Sequence, residues 1–216
     1  MPEADSKRCW CLPLILVVGA AVALCLDFPI ALTFRGWREN PTLRGYLGYF
    51  NLFEPFGHGL GLVMMLFIVH QLDPARRWAL PRVALCALGA GGIANVIKLM
   101  VVRFRPHDFS FQGSILTSFG DWLPLIGPSG GQSFPSAHTA LACGLATALI
   151  WLYPQGRLLF TLLAALVGVQ RIVCGAHFPS DVLAGAAVGI LTATLVLHVG
   201  RVPRWFASVE ASWRAA

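Results

Sequence analysis

The sequence predicts an all-α polytopic membrane protein, with six transmembrane helices and a short amphipathic segment between the third and fourth. Three observations carry that expectation. The 216 residues are 56% hydrophobic and only 12% charged, against roughly 25% charged in an ordinary soluble domain. The apolar residues gather into six blocks of about 17 to 23, the length a helix needs to cross about 30 Å of hydrocarbon. Six such blocks in a soluble chain would leave too little polar surface to cover them, whereas glycines inside several of them suit helices packed closely in lipid.

The first block, residues 12–34, follows Lys7 and Arg8 as a secretory signal would. It is long, carries Asp27 near its far end and lacks a small-residue cleavage site, so it reads as a retained helix. Asp27 either ends this span or pairs with a cation. Residues 35–54, RGWRENPTLRGYLGYFNLFE, are aromatic and mixed in charge; they belong at the outer interface, with Trp37, Tyr46 and Tyr49 as anchors. The second block, 55–72, joins the third, 82–102, through the short inner connection QLDPARRWALP. The longest connection is 103–136. In its middle, SILTSFGDWLPLIG suits either a short amphipathic helix on the membrane or an ordered loop, and a connection of this length is often functional. The remaining blocks are 137–153, 158–174 and 179–199. The whole chain, 1–216, reads as one membrane-embedded domain with tails at 1–11 and 200–216.

Six spans put both termini on one side. That side receives nine basic residues, Lys7, Arg8, Arg76, Arg77, Arg82, Arg157, Arg201, Arg204 and Arg214; the other receives seven, Arg35, Arg38, Arg44, Lys98, Arg103, Arg105 and Arg171. The excess puts the termini in the cytoplasm and the opposite face outside the plasma membrane. Short inner loops and compact length suggest a bacterial protein. A net charge of +6 suits anionic lipid headgroups. No basic stripe with interleaved aromatics lies outside the spans, so nucleic acid is not an expected partner. Membrane lipids and a lipid substrate are, and the oligomeric state stays open. Cys25, Cys86 and Cys143 fall inside spans and Cys9 and Cys11 beside the first, which gives no disulfide framework. Cys174, at a helix end, reads as a small packing residue.

Three charged clusters fall on the same predicted outer face. In the first, Lys98 ends the third span at a depth where a cation needs to snorkel or find a partner. Pro106 biases Arg105 towards an extended backbone, which stops the helix and lets the guanidinium fold over its end. In the second, PSAH at 135–138 opens the fourth span: proline suits a first helical turn, and free amides at a helix start favour an anion. Ser136 and the Gly130–Gly131 pair can add donors. In the third, His177 and Asp181 are four apart and meet either on one helix face or across the helix mouth. An aspartate on one imidazole nitrogen fixes the tautomer and leaves the other free to attack or take a proton.

Two histidines, one aspartate, three cations and a helix start form a set suited to phosphoryl chemistry. Lys98, Arg105 and Arg171 can hold the equatorial oxygens, one histidine can attack phosphorus, and the other can protonate the leaving oxygen. That scheme asks for no metal or other cofactor. A two-metal site would need several carboxylates, and one obvious acid is present.

In order and spacing these residues resemble the type-2 phosphatidic acid phosphatase superfamily of membrane lipid phosphatases, related to glucose-6-phosphatase and more distantly to vanadium haloperoxidases. Lysine, six residues and arginine-proline match Lys98 to Pro106. Proline-serine-any-histidine matches Pro135 to His138, with Ala137 where glycine is usual. The third motif matches Arg171, His177 and Asp181, with Gln170 where serine is usual. The resemblance implies that His177 forms a phosphohistidine, Asp181 orients it, and His138 serves as acid and then base. It also implies that Lys98, Arg105, Arg171, Ser136 and the amide of Ala137 clamp phosphate. Ala137 would narrow the cradle slightly, and Gln170 would replace a hydroxyl with a longer amide.

Glu54, His58, Asn95, Asp108 and Asp121 are candidates to line the entrance or touch a headgroup, each with a structural role as the alternative. His70 and His198 fall near the inner ends of their spans. The expected function is metal-independent hydrolysis of a lipid phosphate or diphosphate, with undecaprenyl diphosphate the first substrate and phosphatidylglycerol phosphate, phosphatidic acid and lipid A phosphate the alternatives. Phosphotransfer to another acceptor uses the same intermediate. A nonenzymatic lipid-phosphate binder or transporter would use the same cations but would not need His177.

Overall fold

A computed structural model describes residues 3–122 and 132–215. All six apolar blocks are helical, but with shifted boundaries and one break. Helix α1 (Glu3–Glu39) overruns its predicted span at both ends, so most of the expected N-terminal tail is helix. Asn40 then caps α2 (Pro41–Gly48) by accepting from the amides of Thr42 and Leu43, with Pro41 at the helix start where its missing N–H is no loss. Tyr46 and Tyr49 are exposed beside it, as interfacial anchors would be.

The second block is not a single rod. A 3-10 segment, Tyr49–Gly57, gives way after His58 to α3 (Gly59–Leu72), and the pieces Pro41–Gly57 and Gly59–Leu72 meet at 61°. Pro55 lacks an amide for the ladder, and His58 restarts the helix by accepting from the amide of Leu60. Gly61 lies so close under the Pro55 carbonyl that a Cβ would fall 1.8 Å from the oxygen.

The bundle is completed by α4 (Leu80–Lys98), α5 (Ala137–Leu152), α6 (Arg157–Val173) and α7 (Pro179–His198). Helix α5 packs against α4, α6 and α7, and α1 runs along α7. Alanine and glycine on the facing surfaces permit this: Ala87, Ala142, Ala146 and Ala148 are buried, and a Cβ on Gly144 would meet the Cys86 carbonyl at 2.5 Å. Among the described residues four stretches are long and apolar enough to cross a membrane, Trp10–Glu39, Pro74–Lys98, Pro154–Val173 and Pro179–His198. The bent pair makes up to five, against the six expected. Helix α5, at 16 residues, is apolar but shorter, and its neighbours enclose much of it.

The long connection also departs from expectation. Val101–Arg103 (β1) pairs antiparallel with Phe119–Trp122 (β2), so the chain is not purely helical. The described part of the proposed amphipathic segment is one 3-10 turn, Ile115–Ser118, followed by β2. Positive φ at Phe111 and at Gly113 breaks the chain just before this turn, and Phe111 and Ile115 pack with Phe28 against Phe109, Phe178 and Ala31. Gly130 and Gly131 lie outside the described residues. The C-terminal tail is helix α8 (Val202–Ala215), held to the bundle by a buried Arg82–Glu210 pair at 2.9 Å.

Candidate active site

The three motif clusters meet at one end of the bundle, and the mouth of α7 organises them. His177 stands just before the helix, and Asp181 in the first turn reaches back, accepting from the Phe178 amide at 2.8 Å through Oδ2. The same oxygen accepts from the hydroxyl of Ser133 and lies 3.8 Å from His177 Nδ1. Ser133 Oγ is also 3.4 Å from that nitrogen. The His177 ring is 3% exposed. Burial pushes its pKa down to about 4 despite the opposing pull of Asp181, which keeps the ring neutral. The Nδ1 side is therefore occupied, and Nε2 is the nitrogen left for chemistry. Gly175, with φ of +75°, makes the left-handed turn that brings the end of α6 round to His177. A Cβ there would lie 2.6 Å from the Arg38 guanidinium, which donates to the Val173 carbonyl.

On its other side Asp181 meets a residue that sequence reasoning treated only as one basic charge among seven. Arg103 is fully buried, and its guanidinium contacts Asp181 Oδ1 through Nη1. It also donates to Ser180 Oγ at 2.7 Å, to Asp27 Oδ2 at 2.7 Å and to Ser118 Oγ at 3.2 Å. The rings of Phe119 and Phe178 lie 4.4 and 4.3 Å from it. Of the two readings of Asp27, pairing with a cation is the one observed. A carboxylate inside an apolar run was the signal that a buried cation must come from elsewhere.

The three proposed clamp residues have different settings. Lys98 is buried, and Nζ donates to the backbone carbonyls of Gln132 at 2.8 Å and Ser133 at 3.3 Å, so it finds partners rather than snorkelling. Arg105 is half-buried; its buried Nε has no hydrogen-bond partner among the described residues, and its charge acts on Lys98 and His177. Arg171 closes α6, held by Glu54 at 2.8 Å and by the Gln170 side-chain oxygen, while Gln170 donates to Asn51 at 3.0 Å. The glutamine at 170 thus supplies the longer amide bond expected of it. Asn51 had not been singled out.

Ser136 is the N-cap of α5, accepting from the amide and hydroxyl of Thr139, so Pro135 stands before the cap and not in the first turn as expected. The cap leaves the first amides of α5, from Ala137 onward, pointing out of the helix start. His138, one residue on, is half-buried and within electrostatic reach of Arg171, His177, Glu54 and His58. The His58 and His138 rings are 5.9 Å apart. Glu54 and His58 therefore join the cluster. Asp108 sits at its rim, 3.2 Å from His107, which approaches the Gly175 carbonyl. Asn95 lies on an exposed face of α4, and the side chain of Asp121 is outside the described residues. His70 and His198 lie at the opposite ends of their helices from the cluster.

A family model, the PAP2 superfamily, matches residues 79–205, which contain Lys98, Arg105, His138, Arg171, His177 and Asp181. The chain belongs to that superfamily. It is 36% identical over 115 residues to a lipid A 1-phosphatase of Rhizobium johnstonii, covering 51% of this chain and 45% of that protein. It therefore spans a little under half the length of that relative. It is 31% identical over 143 residues to a decaprenylphosphoryl-5-phosphoribose phosphatase of Mycobacterium tuberculosis, covering 66% and 73%. A transmembrane PAP2-type phosphatidylglycerolphosphate phosphatase from Bacillus subtilis shares the fold with a TM-score of 0.60 and 22% identity, over 85% of this chain and 93% of that one. Aquifex aeolicus LpxE superimposes with a TM-score of 0.53 at 24% identity, over 77% and 93%. With its apolar spans, this likeness makes the protein an integral membrane protein.

Proposed function

We propose that the protein hydrolyses a phosphate ester of a membrane lipid by double displacement on His177, without a metal, at the outer membrane surface. The observation that carries the reading is the His177 ring, neutral and buried, with Nδ1 turned to Asp181 and Ser133 and with Arg105 nearby, its Nε without a hydrogen-bond partner among the described residues. Nε2 attacks phosphorus, the bond from phosphorus to the lipid oxygen breaks, and His138 gives its proton to that oxygen. Water then loses a proton to His138 and attacks the phosphohistidine; the N–P bond breaks and phosphate leaves. Lys98, Arg105 and Arg171, with the first amides of α5, balance the charge on the equatorial oxygens. Among the described residues no three His, Cys, Asp or Glu side chains converge as a metal site would require.

The named relatives support a lipid A 1-phosphate-like substrate first. The mycobacterial relative, matched over more of the chain, favours a polyprenyl-linked phosphate and keeps undecaprenyl diphosphate in view. The test is phosphate release by detergent-purified protein, with and without chelator, from lipid A, undecaprenyl diphosphate, phosphatidylglycerol phosphate and phosphatidic acid, with His177→Ala as the blank. Chelator-resistant release that is absent in the variant is the expected result. Release that survives in His177→Ala would remove the histidine mechanism. Normal lipid binding without turnover by wild type would favour a binder.

A further inference from the structure

We infer that Arg103 and Asp27 are positioning residues for the reaction, tying the first helix to the carboxylate that orients the nucleophile. The inference rests on the phosphohistidine reading of His177 and extends it to two residues that do not touch substrate. Asp27 lies outside the family match, which starts at residue 79.

The geometry is specific to this role. Asp181 divides its oxygens: Oδ2 serves the Phe178 amide, Ser133 and the His177 side, and Oδ1 serves Arg103. The direction in which the carboxylate faces His177 is therefore set by where Arg103 holds its other oxygen. Arg103 is itself over-determined, with Asp27 on Nη2, Ser180 on Nη1, Ser118 on Nε and a phenylalanine ring within about 4.5 Å on two sides. Its backbone carbonyl accepts from the Ser133 amide at 2.8 Å, so one residue fixes both groups that flank Nδ1 of His177. Asp27 closes the circuit. Its carboxylate accepts from the Ser180 amide at 2.9 Å and from the Ser180 hydroxyl, anchoring α1 to the first turn of α7 one residue before Asp181.

Charge gives Asp27 a second task. Arg103 lies between two carboxylates, so Asp27 balances a cation that would otherwise draw wholly on Asp181. The other charges acting on His177 are Lys98 from α4 and Arg105 from the segment after β1, with His138 facing it from α5; all are cations or become so on protonation. Asp181 is the carboxylate opposing them, and the share of its charge left to His177 depends on how Arg103 is neutralised.

The experiment compares wild type, Asp27→Asn, Arg103→Gln and the double variant. It reads phosphohistidine formation in single turnover, kcat and KM for phosphate release, the pH profile of kcat/KM, and the melting temperature. Asp27→Asn keeps Arg103 paired with Asp181 and is expected to fold; so is the double variant, which removes both charges of the Asp27–Arg103 pair and leaves Asp181 its Ser133 and Phe178 partners. In the double variant kcat and the rate of phosphohistidine formation fall by about 10- to 100-fold, the scale of a misplaced reacting group, while KM stays within about twofold. In Asp27→Asn the acidic limb of kcat/KM moves down by about one pH unit, because Arg103 then draws on Asp181 alone. The substrate's own titration is common to all variants and cancels. If a single variant does not fold, Ser180→Ala replaces it, cutting the hydroxyl bridge between Asp27 and Arg103 with no change in charge; kcat is expected to fall in the same direction but by less, because the direct Asp27–Arg103 and Arg103–Asp181 contacts remain. A folded double variant with wild-type kcat and wild-type phosphohistidine formation overturns the positioning role and leaves the mechanism standing. A wild type that turns over without forming phosphohistidine overturns both.

Discussion

His177 Nδ1 and Asp181 Oδ2 face each other at 3.8 Å, too far for a hydrogen bond, and the Ser133 hydroxyl lies against both. The hydroxyl donates to the carboxylate and can accept from the ring, so it relays the orientation the carboxylate imposes. It also keeps the two groups apart. In Ser133→Ala the ring is free to close on Asp181 directly, and kcat is expected to stay within about tenfold of wild type. Asp181→Asn removes the charge that stabilises the imidazolium-like state, and the loss expected is about 10³- to 10⁴-fold, as when an orienting aspartate is lost in hydrolytic triads. Single-turnover phosphate release on the two variants checks the order.

The depressed pKa of His177 has a consequence for stability. Unfolded, the ring takes up a proton near pH 6.5; folded, it does so only near 4. Between these values the unfolded state binds more protons, so stability rises with pH across the window and is lost as pH falls from about 6.5 to 4. The full contribution is of order 3 kcal/mol, from about 1.4 kcal/mol for each pH unit. Melting temperature in detergent should therefore drop from pH 7 to pH 4.5, and His177→Gln should flatten part of that slope. Equal slopes in both proteins would show that other groups dominate.

Glu54 occupies one arm of Arg171, where the proposed clamp would receive phosphate. The fork keeps other N–H groups free, so the carboxylate steadies Arg171 while placing a negative charge beside any incoming anion. Glu54→Gln keeps a hydrogen-bond acceptor and removes that charge. KM is expected to fall by up to about fivefold with kcat little changed, the scale of a partly exposed ion pair, and inhibition by inorganic phosphate should tighten by a similar factor. A rise in KM would mean that steadying outweighs repulsion.

The motif residues are legible in the sequence because each cluster is local: a helix end, a cap or a helix mouth presents its side chains within a few residues. Lys98, Arg105, His138, Arg171, His177 and Asp181 needed only the bundle to bring them together. Arg103 was not legible in that way. Its partners stand 76 and 78 residues away, and nothing in a run of valine, arginine and phenylalanine distinguishes an arginine facing the bundle from one facing the surface. The break at His58 and the hairpin of β1 with β2 were missed for a related reason: an apolar block looks the same whether it runs straight or bends over a proline. Block length alone counts α5 as a sixth span, whereas among the described residues this enclosed 16-residue helix is shorter than the four stretches long and apolar enough to cross on their own.

Helix α7 meets α5 through Gly185 and Gly189, four residues apart, the spacing that lets two helix backbones touch. A Cβ at Gly189 would lie 2.3 Å from the Ala140 carbonyl, and one at Gly185 would lie 2.4 Å from that of Ser136. Both obstacles are backbone, so neither can be relieved by turning a side chain. Gly189→Ala pushes the helices apart within the bundle and is expected to cost about 1–3 kcal/mol, the range for overpacking a tight interior. Gly185→Ala bears in addition on the cap of α5 and the first turn of α7, which hold His138 and Asp181. It should lower kcat more than Gly189→Ala does at equal loss of melting temperature. Gly92→Ala is the control: nothing lies within 4 Å of its Cβ position, and α4 gains a better helix former. It should match or slightly exceed wild type in both stability and activity. A Gly185→Ala protein with normal kcat would show that the α5–α7 approach fixes the fold without setting the site.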